Sequence, residues 1–285
     1  MADLFDNPLG LDGFEFVEFT GPDPQAMADM FVAMGFTHLA THKSKPVRRY
    51  AQGDVNFLLN MDTVGQAAEF RNAHGPSANA MAFRVADAGK ALAEALKRGA
   101  KQIVGPVGPM ELNIPAIHGV GTSRIYFVDR HGDFSIYDVD FIPIPTVDQH
   151  PPAVTGLHLF GVVQYIGNER TEDWTEFYGS LFGFTALEDT QRFGILPKGR
   201  ILQSPCKTFY LQLIEPEPGV LDVEDDECFQ RVGLGTPDVQ ATVAALRQRG
   251  VASVYLSDHA SVFESPEALD LWRLLRAVAS PRQTR

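Results

Sequence analysis

The amino-acid sequence predicts an α+β protein in which one supersecondary unit, β-α-β-β-β, occurs four times, the fourth time incompletely. The first observation is composition: the chain has 285 residues, of which 45% are hydrophobic and 21% are charged. That balance is typical of globular proteins, and the length allows two domains. The second observation is order, because strand-like and helix-like runs follow one another in the same sequence along the chain.

Local signals define the first two units. Helices are expected at residues 24–34 and 88–97, since Asp23 and Pro24 can begin the first helix and glycines follow both. Strands are expected where β-branched and aromatic residues cluster. These strands are residues 14–19, 37–41, 47–51 and 55–60 in the first unit and 79–85, 101–104, 123–128 and 134–141 in the second.

A proline-rich segment separates the two halves. Residues 143–153 contain four prolines and show neither a helical nor a strand period, which is typical of a linker. We therefore expect an N-terminal domain at residues 1–142 and a C-terminal domain at residues 154–285.

The third unit repeats the order, but the fourth does not finish it. The third has expected strands at residues 156–165, 191–196 and 208–214 and a helix at 172–181, whose apolar residues recur at spacings of three and four. The fourth has expected strands at 229–234 and 251–256 around a helix at 239–248. Residues 265–279 then predict a helix, with Leu269, Trp272 and Leu275 covering the sheet edge that two missing strands leave.

Charge and cysteine content exclude several classes of function. The formal net charge is −12 and the basic runs are short, so nucleic acid and anionic membranes are not expected partners. No apolar run reaches the roughly 20 residues that span a bilayer. The two cysteines, Cys206 and Cys228, lack a metal-binding spacing, and the first residues lack a signal-peptide pattern. These features favour the cytoplasm.

Long stretches of the N-terminal half resemble one known family. They are MADLFDNPLGLDGFEFVEF, GFTHLATHKSKPVRRYAQGDVNFLLN, HGPSANAMAFRV, GPMELNIPAIHGVGTSRIYFVDR and SIYDVDF. On these stretches the chain resembles the 4-hydroxyphenylpyruvate dioxygenase family. The resemblance implies the vicinal-oxygen-chelate fold, a structural N-terminal domain, and Fe(II) with an aromatic 2-oxo acid in the C-terminal barrel. It also implies a role in tyrosine catabolism, and we expect a homo-oligomer.

The chemistry of the family needs two histidines and one carboxylate on the iron. The resemblance puts His158, in GLHLFGVVQYIG, at the first histidine position, although an isolated strand histidine can also be a non-ligand. The second position holds Arg231, whose guanidinium has no lone pair to give to a metal. The third ligand, a glutamate on the last strand, has no matching position. His158, His259 and Glu264 together would supply suitable atoms, but nothing in their spacing indicates such a site.

Three further residues are candidates for contacts with the substrate. Ser204 and Gln230 match polar positions of the family, whereas Ile214 stands where the family has asparagine. Ser204 can equally be a turn residue before Pro205. Arg231 suits a ligand carboxylate, because its planar fork donates two parallel hydrogen bonds.

Three functional hypotheses follow. The first is an Fe(II)-dependent dioxygenase acting on an aromatic 2-oxo acid, as the resemblance implies. The second is a metal-free aromatic-acid-binding protein or degenerate paralogue, because the open iron triad has no ligand to spare. In the third, the N-terminal domain mediates homo-oligomer assembly and the C-terminal half is a remnant.

Overall fold

The computed structural model of the protein describes residues 7–105, 107–188, 199–215 and 227–251 and the backbone of Ala268–Asp270. The strands are β1 Leu11–Thr20, β2 Thr37–His42, β3 Val47–Gln52, β4 Val55–Asn60, β5 Ser77–Val85, β6 Gln102–Ile103, β7 Ala116–His118, β8 Arg124–Val128, β9 Phe141–Pro143, β10 His158–Tyr165, β11 Thr185–Ala186, β12 Arg200–Gln203, β13 Tyr210–Ile214, β14 Cys228–Gly235 and β15 Ala268–Asp270. The helices are α1 Pro24–Ala33, α2 Gly65–His74, α3 Ala88–Lys97, α4 Ile136–Asp140, α5 Thr171–Phe182 and α6 Val239–Gln248.

The first sheet joins two complete β-α-β-β-β units through their first strands. Strand β1 is antiparallel to β5, and each is parallel to the last strand of its own unit, β4 and β8 respectively. The order across the sheet is β6-β7-β8-β5-β1-β4-β3-β2-β9.

The second sheet repeats this arrangement. Strand β10 is antiparallel to β14 and parallel to β13, and the order is β11-β12-β13-β10-β14-β15. These mixed sheets, with helices on them, confirm the predicted α+β repeat fold.

Aspartates begin three of the repeat helices. Asp23, Asp87 and Asp238 each accept a hydrogen bond from a backbone N–H of the first helical turn in α1, α3 and α6. Such caps satisfy donors that the helix itself leaves unpaired. The helix starts predicted from the sequence therefore agree closely with the structure.

Aromatic residues connect the two sheets. Phe83 of β5 lies with its ring centroid 5.4 Å from that of Phe182 in α5 and 5.2 Å from that of Phe209, just before β13. Phe14 of β1 also meets Phe209, at 5.3 Å. One continuous cluster of buried side chains thus spans both sheets.

Two expected elements are wrong. Residues 134–141 form a capped helical turn, because the N–H and hydroxyl of Ser135 donate to Asp138 Oδ2 at 2.7 and 2.8 Å and α4 follows. Strand β9 then pairs with β2, so the last strand of the first sheet crosses the expected domain boundary at residue 142. The division into domains stays a prediction.

The expected helix at 265–279 is also wrong where the structure describes it. Ala268–Asp270 is strand β15, antiparallel to β14. Each complete unit instead places its last strand parallel to its first. The other residues of 265–279, including Trp272 and Leu275, lie outside the described residues, as do the expected strand at 191–196 and most of that at 251–256.

Candidate functional site

The candidate site lies on one face of the second sheet. The opposite face packs on α5, where the hydroxyl of Tyr178 donates to Gln164 Oε1 at 2.8 Å. Because side chains alternate along a strand, the neighbours of Gln164 in β10 point the other way. Among the residues that the pairing puts on that face are eight that we call the second-sheet face: His158, Gly161, Val163, Tyr210, Gln212, Arg231, Gly233 and Gly235.

Two glycines of this face have no room for a side chain. A Cβ on Gly161 would lie 2.3 Å from the carbonyl oxygen of Tyr210, and a Cβ on Gly235 would lie 2.4 Å from His158 Nε2. The imidazole of His158 therefore occupies the space over Gly235. Glycine at position 235 is what lets this ring lie across the sheet.

His158 is the first residue of β10 and pairs with Gly235. Its side chain is exposed, and Nδ1 lies 3.3 Å from the carbonyl oxygen of Gly156. The exposed position gives the ring access to a small molecule at the edge of the face.

Arg231 lies deeper on the same face, paired with Val163, and only 6% of it is exposed. It precedes Gly235 by four residues, which is about 13 Å along a strand at about 3.3 Å per residue. His158 and Arg231 share a face but are not cross-strand neighbours. The structure thus places a buried cation well inside the sheet and a histidine at its edge.

The described residues do not fit the iron that the family resemblance implies. A guanidinium has no lone pair to give and cannot be a metal ligand, so Arg231 cannot supply the second ligand that the resemblance implies. Within the described ranges, no group of three or more His, Cys, Asp or Glu side chains could hold a metal. His259 and Glu264 lie outside those ranges.

Ser204 is placed as a turn residue. Its hydroxyl oxygen accepts a hydrogen bond from the N–H of Phe209 at 3.3 Å, and its own N–H donates to Phe209 O at 3.1 Å. These bonds close the connection between β12 and β13. A direct substrate contact by Ser204 stays a prediction, and its observed contacts favour the turn interpretation.

Gln230 is the extra residue of a β-bulge in β14, since Val163 pairs with Arg231 but Gln164 with Phe229. The side chain is buried, and Oε1 accepts no hydrogen bond from the described residues. Bulges re-aim side chains and are common beside active sites. The proposed contact of Gln230 with a substrate stays a prediction.

Sequence reasoning missed the polar and aromatic residues of β12 and β13. Gln203 Nε2 donates to the Tyr210 hydroxyl at 3.2 Å, and the Tyr210 ring lies 5.2 Å from that of Phe160. The signal was present, because Tyr210 and Gln212 alternate with two leucines in YLQLI. Ile214, where the family has asparagine, is at the buried end of the same strand.

A buried carboxylate fixes the start of α5 to β14. Glu227 Oε1 accepts from the N–H of Gly167 at 2.9 Å, from Arg170 Nη1 at 2.7 Å and from Trp174 Nε1 at 2.8 Å. Charge-assisted bonds of this kind are roughly twice as strong as neutral ones. Glu227 immediately precedes the strand that carries Arg231, so this contact helps to set the position of the site.

Comparisons with known proteins agree with this architecture. Residues 5–142 match the family model described as "Hydroxyphenylpyruvate dioxygenase, HPPD, N-terminal". The chain is 38% identical over 259 residues to "Hemolysin VllY" of Vibrio vulnificus, covering 86% of this chain and 72% of that protein. It is 38% identical over 256 residues to a 4-hydroxyphenylpyruvate dioxygenase of Pseudomonas aeruginosa, with coverages of 86% and 72%.

A solved structure shows the same fold. It is a "xylose isomerase-like TIM barrel/4-hydroxyphenylpyruvate dioxygenase fusion protein", which aligns with a TM-score of 0.73 and 28% sequence identity. The alignment covers 90% of this chain and 42% of the fusion protein. No helix among the described residues is long and apolar enough to cross a membrane.

Proposed function

Because this chain belongs to the 4-hydroxyphenylpyruvate dioxygenase family, we propose that it binds an aromatic 2-oxo acid on the second-sheet face. Arg231, rather than a metal ion, holds the carboxylate of that acid. Relatives that carry the dioxygenase name support a function like theirs. The observation that carries our finer proposal is the buried guanidinium of Arg231 at the strand position where the resemblance implies the second metal ligand.

Electrostatics favour a carboxylate over a cation beside Arg231. At about 4 Å and an effective dielectric constant of about 20, a divalent ion and a guanidinium repel by roughly 8 kcal/mol. A carboxylate is attracted instead, and it can accept two parallel hydrogen bonds from the planar fork. The charge that disfavours iron at this position is therefore suited to an organic acid.

The rest of the second-sheet face suits the aromatic end of such a molecule. The rings of Phe160 and Tyr210 lie against each other at the β10–β13 side, and aromatic rings gain from offset or edge contacts with one another. The Tyr210 hydroxyl, which accepts from Gln203, gives this end a polar group. The ring of Phe160 lies over Gly233, since a Cβ there would be 3.7 Å from Phe160 Cδ1, and Gly233 is two residues from Arg231 in the same strand.

The family's oxygenation reaction is the second candidate function. What favours it is membership of the family and the exposed His158. It would need ligands from outside the described residues, such as His259 and Glu264. Iron content and oxygen uptake separate this candidate from metal-free binding.

Calorimetric titration tests the proposal directly. Chelator-treated protein is titrated with 4-hydroxyphenylpyruvate and with 4-hydroxyphenylacetate, which keeps the ring and carboxylate but lacks the chelating 2-oxo group. We expect both to bind, and Arg231→Gln to weaken each by about tenfold or more, since a hydrogen bond to a charged group contributes roughly 1.5–3 kcal/mol. Arg71→Gln, which alters a partly buried arginine of α2, is the matched control.

Two outcomes would contradict the proposal. One is binding that appears only after iron is added, and the other is equal affinity in the wild type and Arg231→Gln. If neither acid binds the folded protein, the third hypothesis, assembly through the N-terminal half, is favoured instead.

We also infer the cellular context from the sequence. The acidic chain with two free cysteines suits a reducing cytoplasm. A homo-oligomer and a place in tyrosine catabolism follow from the family, and sedimentation of the purified protein tests the oligomer.

A further inference from the structure

The first sheet has a cavity that the proposed function does not use. It has a volume of about 370 Å³, which lies in the range of small-molecule sites. Its wall includes apolar side chains from strands and from the segment before β7, namely Phe16, Val47, Leu58 and Ile114. Charged groups, among them Glu18 and Arg124, lie in the same wall.

Glu18 and Arg124 stand in one row across three strands. Glu18 of β1 pairs with Ala80 of β5, and Ala80 pairs with Arg124 of β8. Paired residues point to the same face, and two strand spacings of about 4.8 Å separate the outer two backbones by about 10 Å. Because only the methyl group of Ala80 stands between them, an acidic and a basic group flank a gap.

The next row gives the gap an apolar side. Phe16 pairs with Ala82, which pairs with Tyr126. The two rings approach each other above Ala82, with centroids 5.8 Å apart. Small residues at positions 80 and 82 thus form a floor between larger side chains, and an apolar group can lie on it.

Both charged groups keep unused hydrogen-bonding capacity. Arg124 Nη1 donates to the Tyr126 hydroxyl at 3.3 Å, but its buried Nε donates to no described residue. Glu18 is 8% exposed and accepts from Asn60 and Asn79 through Oε1. A buried donor without a partner is costly, so a ligand acceptor at Arg124 would be stabilising.

Two other charged side chains of the cavity wall are already engaged. Lys45 pairs with Glu111 at 2.9 Å, and Asp140 accepts from the N–H of Leu112 at 3.1 Å. Arg124 and Glu18 flank the gap over Ala80, which places them to recognise a charged ligand. Arg124 can bind an anionic group, and Glu18 can accept a hydrogen bond from a cationic or neutral donor.

We propose that this cavity binds a small amphoteric molecule, an α-amino acid with an apolar side chain. Arg124 receives the carboxylate, Glu18 accepts from the ammonium group, and the side chain lies against Phe16, Leu58 and Tyr126. The pairing of opposite charges across Ala80 disfavours a simple acid, which Glu18 repels, and a simple amine, which Arg124 repels.

Three probes with the same apolar body test the proposal: L-leucine, 4-methylpentanoate without the amino group, and 3-methylbutylamine without the carboxylate. L-Phenylalanine extends the series to a larger side chain. Affinities are measured by saturation-transfer NMR on the full chain. We expect at least one amino acid to bind, and the two truncated probes to bind about tenfold more weakly than leucine, or not at all, as loss of a charged hydrogen bond predicts.

Variants locate the site. Arg124→Gln should lower the affinity for the amino acid about tenfold. Arg71→Gln, elsewhere in the same half, should leave that affinity unchanged. Arg231→Gln should also leave the affinity unchanged, which separates this cavity from the second-sheet face. Glu18→Gln should reduce the preference for leucine over 4-methylpentanoate. Thermal melting checks that each variant folds. If Glu18→Gln does not fold, the comparison of the three probes in the wild type still tests the proposal.

The proposal is overturned if neither amino acid binds the folded wild type. It is also overturned if leucine and both truncated probes bind equally, or if Arg124→Gln binds leucine as the wild type does.

Discussion

Gly121 lies where the backbone of the first half closely approaches the backbone of the second half. Its φ is +63°, and a Cβ there would lie 2.0 Å from the carbonyl oxygen of Glu227. A side chain at this position would therefore strain the local backbone and also push the first half away from the start of β14.

We predict that Gly121→Ala lowers the free energy of unfolding by about 3 kcal/mol, because left-handed strain and overpacking act together. Gly99→Ala is the control: its φ is +93°, but nothing lies within 4 Å of the added Cβ, so about 1 kcal/mol is expected. Urea denaturation measures both. Equal losses in the two variants would show that the contact with Glu227 does not matter.

Individual site residues were only partly predictable from the sequence. Arg231 could be placed because it lies in the strand expected at residues 229–234, at the position where the resemblance implies the second metal ligand. The cavity residues Glu18 and Arg124 could not, since they are 106 positions apart by their numbering and meet only through strand pairing with Ala80. Ser204 shows the opposite case, where a turn signal, Ser204-Pro205, agreed with the observed hydrogen bonds.

Helix α5 begins without the aspartate cap that the other repeat helices use. Glu215, just after β13, takes that role: its Oε1 accepts from the hydroxyl of Thr171 at 2.5 Å and from its N–H at 3.1 Å. The hydrogen bond from the Thr171 hydroxyl is the main cause that lowers the pKa of Glu215 below the usual 4.5. The cap thus depends on pH.

We predict that part of the stability of α5 is lost in acid. A carboxyl whose pKa is lowered on folding contributes fully above its unfolded pKa and loses that contribution as pH falls through its folded pKa. The free energy of unfolding should therefore fall more steeply below pH 4.5 in the wild type than in Glu215→Gln. Glu176→Gln, an exposed site on the same helix, is the control. Parallel pH profiles for all three proteins would contradict the prediction.

Elements were predictable where local signals and tertiary pairing agree. Asp23 and Pro24 before α1, and the glycines that follow α1 and α3, located these two helices to within about a residue. Residues 134–141 were misread, since their apolar residues suit a strand while the Ser135–Asp138 bonds begin a helical turn. Helix α2 was missed because Val64 before it offers no side-chain cap and the helix itself is largely polar.

At the scale of the whole molecule, the shared aromatic cluster leads us to expect that the two sheets unfold as one unit. Phe83 of the first sheet contacts Phe182, Phe184 and Phe209 of the second half. Both tryptophans, Trp174 and Trp272, belong to the second half. Tryptophan fluorescence therefore reports on that half, while far-ultraviolet circular dichroism reports on both.

We predict that Phe83→Ala lowers the free energy of unfolding by about 3–5 kcal/mol, the usual cost of removing a buried phenylalanine ring. The fluorescence and dichroism transitions should shift together and stay coincident. If the fluorescence midpoint stays fixed while the dichroism transition moves, the two halves unfold independently.

The fold of the whole molecule was predictable because it is a repeat. Three units give the same order of elements, so errors in single strands did not change the architecture. The end of the fourth unit could not be predicted, because β15 pairs antiparallel to β14 and departs from the repeat itself.

We propose that Arg231 has replaced metal binding with acid binding in this chain of the 4-hydroxyphenylpyruvate dioxygenase family. Iron stoichiometry after anaerobic reconstitution with Fe(II) and desalting tests it most directly, with oxygen uptake on 4-hydroxyphenylpyruvate followed in the same sample. We predict no stoichiometric iron and no oxygen uptake. Tightly held iron at one ion per chain, with substrate-dependent oxygen consumption, would contradict the claim.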